Sequence, residues 1–162
     1  LEKRRADMHK VYSRLLLVVA TLGAAAILPP VSILAQDVPT WALEANRSFY
    51  KAYNSANLAA LMKHYAIDAV ILLPDKAIRG RAAIEAFFSA DFARVRSSCE
   101  WTIDGAQAVG RHAAVWGHEK CVEAPKSGKP SRTLNYRWLT VWERQPDGSW
   151  LIARDAFEDA KP

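Results

Sequence analysis

Apolar residues recur along this chain in two rhythms, one helical and one alternating, and the change from the first to the second falls near its middle. Trp41, Ala45, Phe49, Ala52 and Tyr53 stand at helical spacing, with Glu44, Arg47 and Lys51 between them. This predicts an amphipathic helix with an aromatic inner stripe. Pro39 and Thr40 suit its start, because proline lacks only an N–H that a first turn leaves unpaired, and threonine can cap. Asn54-Ser55-Ala56-Asn57 interrupts the pattern. Asn57 can cap a second helix, whose Leu58, Leu61, Met62 and Tyr65 share one face. The branched apolar run 69–73 stops at Pro74-Asp75 and predicts a short strand buried on both faces. Gly80 permits a sharp turn into a third helix, with Ile84, Phe87, Phe88, Phe92 and Val95 inward.

After Arg96 the period becomes two, predicting strands over 98–109, 112–122, 133–144 and 149–158. Residues 123–132, with two Pro, one Gly and three Lys/Arg, read as an exposed loop. Pro146-Asp147-Gly148 reads as a hairpin turn. Tyr136, Trp138, Thr140 and Trp142 share one strand face, and Arg137, Leu139, Val141 and Glu143 the other. In the last strand Leu151, Ala153, Asp155 and Phe157 oppose Trp150, Ile152, Arg154 and Ala156. Helices followed by antiparallel strands predict an α+β domain, a curved antiparallel sheet wrapped on three N-terminal helices. Five of the six Trp lie in the strand region. That bulk points to a lined pocket or an apolar dimer surface.

Residues 1–35 follow another pattern. Lys3, Arg4, Arg5, Lys10 and Arg14 precede the apolar run 15–28, then Pro29-Pro30 and a stretch ending at Ala35. This is the order of a secretory signal peptide, with Met8 a candidate start. If uncleaved, it would be the domain's one expected membrane contact. The expected organisation is a signal at 1–35, a linker at 36–39 and a domain at 40–160, exported to the periplasm or beyond. The formal net charge of +5 is concentrated in the leader, and without it 17 basic residues face 15 acidic ones, a net of +2. That balance argues against a nucleic-acid partner.

Two cysteines, Cys99 and Cys121, flank a predicted hairpin near Gly110, eleven residues from each. In an oxidising compartment they suggest one disulfide, the alternative being two free buried thiols. A bridge closing a loop of about 20 residues would contribute about 3 kcal/mol.

Phe49…Tyr53-Asn54, Leu61…Tyr65-Ala66…Asp68-Ala69, Pro74, Gly80…Ile84…Phe87-Phe88 and Val141-Trp142…Asp147-Gly148-Ser149-Trp150…Asp155 resemble the SnoaL-like and ketosteroid-isomerase-like proteins of the nuclear transport factor 2-like superfamily. The resemblance covers nearly all of 40–158. It implies a cone-shaped, cystatin-like α+β barrel, a pocket between helices and sheet, and dimerisation through the outer sheet face. It also implies where a steroid isomerase would carry its chemistry. The base falls at Leu73, the oxyanion tyrosine near Phe49 and the second acid near Thr140. None of these can fill its role, so that mechanism is excluded here.

Asp155 lies on the strand face that the resemblance turns inward. A carboxylate among aromatics has a raised pKa and can act as a base, whereas a pair with Arg137 or Arg154, or a hydrogen bond to a Tyr or Trp, would make it structural. His118 shares a face with Trp116. Turned inward it would be a general acid or base, and a single bulge would turn it outward. Tyr53, Trp116, Tyr136, Trp138 and Phe157 are candidate substrate-binding walls, with core packing the alternative for each. His64, near a helix end, reads as a favourable C-terminal charge. Four dispersed histidines without HxH, HExxH or CxxC spacing predict no metal. Neither a phosphate loop nor a GxSxG elbow is present, and no cofactor is expected. The sequon Asn46-Arg47-Ser48 falls within a helix. The expected function is binding of a small, mostly apolar molecule, with cofactor-free acid–base chemistry of isomerase or hydro-lyase type by Asp155 assisted by His118. The alternative is a non-enzymatic homodimeric association domain of the cell envelope.

Overall fold

The computed structural model describes residues 38–160, so the predicted signal and the first half of the linker lie outside the described residues. The elements are α1 (Thr40–Asn54), α2 (Leu58–Met62), β1 (Tyr65–Leu72), β2 (Ala77–Arg79), α3 (Arg81–Arg94), β3 (Val95–Val109), β4 (His112–Pro125), β5 (Arg132–Arg144) and β6 (Trp150–Asp159). The six strands form one sheet in the order β2-β1-β6-β5-β4-β3. The α+β class stands, with one difference from expectation. The pair β1–β6 is parallel while the other neighbours are antiparallel, so the sheet is mixed. The chain leaves β1, builds the rest of the sheet, and returns β6 alongside β1 in the same direction. Helix α3 follows β1 and β2, as the turn at Gly80 predicts.

Helix α1 presents a wider inner face than its stripe predicts. Ala42, Asn46, Tyr50 and Ala52 are buried, flanked by Trp41, Ala45, Phe49 and Tyr53. Trp41 stacks on Trp150 with ring centroids 4.3 Å apart. Thr40 is the first helical residue, preceded by Pro39 without a side-chain cap. Asn46 is 4 % exposed and its Nδ2 donates to the Ala42 carbonyl at 3.0 Å, so the folded sequon is closed to a glycosyltransferase. Asn57 does cap α2, its Oδ1 accepting from the Ala60 N–H at 3.0 Å.

Tyr65 does not continue α2. The helix ends at Met62 and Tyr65 opens β1, fully buried. Val70, Ile71 and Leu72 extend that strand, and an irregularity between Tyr65 and Val70 breaks its parallel pairing with β6. His64 therefore sits at a helix-to-strand junction, half-buried against the Phe49 ring at 5.8 Å. Burial lowers its pKa, which disfavours the cation that the helix-terminus reading needs. Gly80, at φ 84°, donates to the Ala69 carbonyl at 2.7 Å and turns the chain into α3.

Cys99 and Cys121 stand directly opposite each other in the β3–β4 ladder and are joined by a disulfide, as the hairpin centred at Gly110 predicts. Two irregularities set which side chains face the helices. One, in β3 between Ile103 and Gly105, leaves Asp104 unpaired. The other, in β6, pairs Ile152 with Trp142 and Arg154 with Val141, making Ala153 the extra residue. Strict alternation puts Ile152 on the face opposite Asp155. The bulge brings both inward.

Candidate functional site

The inner face of the sheet is a grid of side chains in register. Glu119 on β4 pairs with Tyr136 on β5, and Gly117 pairs with Trp138, which pairs in turn with Phe157 on β6. Thr140 pairs with both Val115 and Asp155. Gly117 is required where it stands, because a Cβ there would lie 1.9 Å from the Thr102 carbonyl oxygen and 2.7 Å from the Trp138 ring. Between this grid and the helices lies a cavity of about 250 Å³. Its lining includes Asn46, Phe49, Tyr50 and Tyr53 from α1, Phe87, Phe88 and Asp91 from α3, and Tyr136, Trp138, Trp142, Asp155 and Phe157 from the sheet. Glu119, Glu123 and Arg132 complete its polar part.

Asp155 is 5 % exposed, and its Oδ2 accepts from the fully buried Tyr65 hydroxyl at 2.6 Å. Burial pushes the Asp155 carboxyl up to about 6, against the Tyr65 hydrogen bond, which pulls it down. Tyr65 itself is raised, first by burial and then by the Asp155 charge. Asp155 has no salt bridge among the described residues, so of the two structural alternatives the pair with Arg137 or Arg154 is not formed, while the hydrogen bond to a tyrosine is. Arg154 turns to the backbone instead, donating to the Ala153 carbonyl at 2.6 Å. Next to Asp155, the Thr140 hydroxyl has its one proton engaged. It accepts from Trp142 Nε1 at 2.7 Å and donates to the Val115 carbonyl at 3.3 Å.

A second carboxylate shares the cavity. Glu119 is pushed up to about 6 by burial, offset by its interaction with the Tyr50 hydroxyl and reinforced by the charge of Asp155. Tyr50 is raised by burial and then by Glu119. Glu119 also lies beside the disulfide, with one carboxylate oxygen within 4.8 Å of both sulfurs. At the other side of the cavity Tyr53 donates to Asp91 at 3.4 Å, and burial raises both groups.

Of the residues singled out from sequence, Tyr53, Tyr136, Trp138, Asp155 and Phe157 line this cavity. His118 and Trp116 do not. They occupy the outer face of β4, where the His118 side chain is 58 % exposed and its Nδ1 lies 3.0 Å from Asp104 Oδ1. Trp116 covers Gly105, where a Cβ would come within 2.3 Å of its ring. The expectation that His118 assists Asp155 is therefore corrected, because the two residues lie on opposite faces of one sheet. Sequence reasoning missed Tyr50, Tyr65 and Glu119, along with the polar lining residues Asp91, Glu123 and Arg132. A signal for Glu119 existed. Strand parity with Cys121, a half-cystine expected inside, puts Glu119 inward and His118 outward.

A family model described as SnoaL-like domain matches residues 46–153. The chain belongs to the SnoaL-like domain family. Solved structures of the same fold include a ketosteroid isomerase-like protein from Erwinia carotovora atroseptica, 22% identical, with a TM-score of 0.68, covering 74% of this chain and 94% of that one. A conserved protein from Planctomyces limnophilus gives 21% identity, a TM-score of 0.68 and coverage of 73% and 94%. A nuclear transport factor 2-like superfamily protein from Salmonella enterica serovar Typhimurium gives 12%, 0.65, and 74% and 88%. At such identities the likeness carries the fold and no more. No curated protein matches the sequence. Facing the cavity of this SnoaL-like domain are a threonine hydroxyl whose proton is already engaged and the carboxylates Asp155 and Glu119, each beside a tyrosine.

Proposed function

We propose that this SnoaL-like domain binds a small, mostly apolar molecule in the cavity and moves a proton on it with Asp155, without a cofactor. The observation that carries the reading is the Asp155–Tyr65 pair, a buried carboxylate held by a buried phenol at the wall of an aromatic chamber. Tyr65 occupies Oδ2. Among the described residues Oδ1 accepts no hydrogen bond, which leaves it for a ligand. A carboxyl near pKa 6 exchanges protons readily at neutral pH, as a general base must. Tyr65 is a positioning residue that fixes the carboxylate plane. The reaction class that fits is isomerisation or dehydration beside a carbonyl.

Trp138 and Trp142 line the chamber, so tryptophan fluorescence reports its filling. Titration with a panel of cyclic apolar ketones is expected to give saturable changes. Exchange of their α-protons into deuterated solvent is expected to fall about a hundredfold or more in Asp155→Asn. Exchange that is equal in both proteins would contradict the role of Asp155. No saturable response to any ketone would contradict the chamber as a binding site.

The outer face supports a second reading, association of two copies. Trp116 at 37 % and Leu139 at 43 % exposed are cross-strand neighbours there, an apolar pair of the kind an interface covers. Sedimentation equilibrium of Leu139→Asp against the native protein tests it, with a shift from dimer to monomer expected. Export to an oxidising compartment is part of the proposal, supported by the disulfide and by the leader pattern at 1–35. Recovery of the disulfide-bonded chain in a periplasmic extract is the expected result.

A further inference from the structure

The charges facing the cavity are unequal. Among the described residues four carboxylates line it, Asp91, Glu119, Glu123 and Asp155, against one cation, Arg132. That cation is already engaged, with its guanidinium on Glu123 Oε2 at 2.8 and 2.9 Å. Asp91 is likewise paired, with Arg94 at 3.1 Å. Glu119 and Asp155 have no cationic partner among the described residues; Asp155 accepts from the Tyr65 hydroxyl at 2.6 Å, and Glu119 interacts with the Tyr50 hydroxyl. Each meets a hydroxyl where a buried carboxylate ordinarily meets an arginine or a lysine.

Resting on the binding reading above, we propose that the ligand of this cavity is an organic ammonium, an apolar body of roughly aromatic size bearing one positive charge, with its cationic group seated against Asp155 and Glu119. Such a ligand supplies the counter-charge the chamber lacks. The unpaired Oδ1 of Asp155 accepts its N–H, and the rings of Tyr50, Tyr136 and Trp138 give its charge and its hydrocarbon a compatible wall. A carboxylate ligand would add a like charge beside two others in a poorly solvated space, which is strongly unfavourable. A neutral alcohol stands between the two.

The test uses three probes of matched size, 2-phenylethylamine (protonated), 2-phenylethanol and phenylacetate, titrated into the native protein at pH 7.5 by isothermal calorimetry and ligand-observed NMR. The ammonium is expected to bind about tenfold or more tightly than the alcohol, and phenylacetate weakest. The preference should fall towards parity in Asp155→Asn and shrink in Glu119→Gln. The second variant keeps the test decisive should the first fail to fold. Equal binding of ammonium and alcohol would overturn the inference, as would a preference for phenylacetate or an ammonium preference unchanged in the variants. If apolar ketones bind and the ammonium does not, the inference falls and the binding reading stands. If neither binds, both fall.

Discussion

On the inner face of β6, Asp155 is held by a tyrosine hydroxyl at 2.6 Å, while on the outer face of β4 His118 lies 3.0 Å from Asp104. The contacts are similar in length and differ in everything around them. Asp155 is buried and its proton affinity is raised by that burial, whereas both partners of the outer pair are about half exposed to solvent. Histidine is the more usual proton carrier, yet here the aspartate has the environment that makes a carboxyl useful near neutral pH. Which face a residue occupies decides its chemistry, and in a strand that is set by a single residue of register.

Three variants sharpen the contrast, in falling order of effect. Removing the inner-face disulfide in Cys99→Ser/Cys121→Ser releases a cross-link spanning 22 residues. It is expected to cost about 3 kcal/mol in urea unfolding, and a loss below 1 kcal/mol would argue that the bridge is dispensable. Tyr65→Phe strips the hydrogen bond from a buried carboxylate and should cost about 1–3 kcal/mol at pH 7.5. The loss should be smaller at pH 5, where Asp155 is mostly protonated in either protein. A loss independent of pH would mean the phenol serves packing alone. Asp104→Asn, on the outer face, should change stability by less than about 1 kcal/mol and leave ligand titrations unaltered, because exposed ion pairs contribute little. Any effect on binding would break the separation of the two faces.

Much of this was legible in the sequence because it rests on local rules. Asn57 caps α2, Gly80 turns the chain into α3, and Cys99 and Cys121 meet across a hairpin whose centre is Gly110. The alternation of Tyr136, Trp138, Thr140 and Trp142 places that face inward. What failed depends on events one residue long. The extra residue Ala153 turns Ile152 inward, and the end of α2 at Met62 turns Tyr65 from a helical core residue into the partner of Asp155. Glu119 was overlooked because it stands in the polar run His118-Glu119-Lys120, which reads as solvent-facing, while Gly117 and Cys121, its neighbours on the same face, are small enough to leave it room inside.

The central claim is that Asp155 is a buried acid poised near neutrality, and the direct measurement is its own titration, by carbon-detected NMR of the side-chain carboxyl from pH 4 to 8. A carboxyl whose folded pKa lies above its unfolded value holds its proton more tightly when folded. Its contribution to stability is therefore fully present below pH about 4 and is lost as the pH rises through about 6. The midpoint is expected at about 6, and the native protein should lose on the order of 3 kcal/mol relative to Asp155→Asn between pH 4 and 7.5, a difference that cancels His64, which runs the opposite way. A midpoint near 4 with no such divergence would mean that water reaches this carboxylate freely, and would contradict the account.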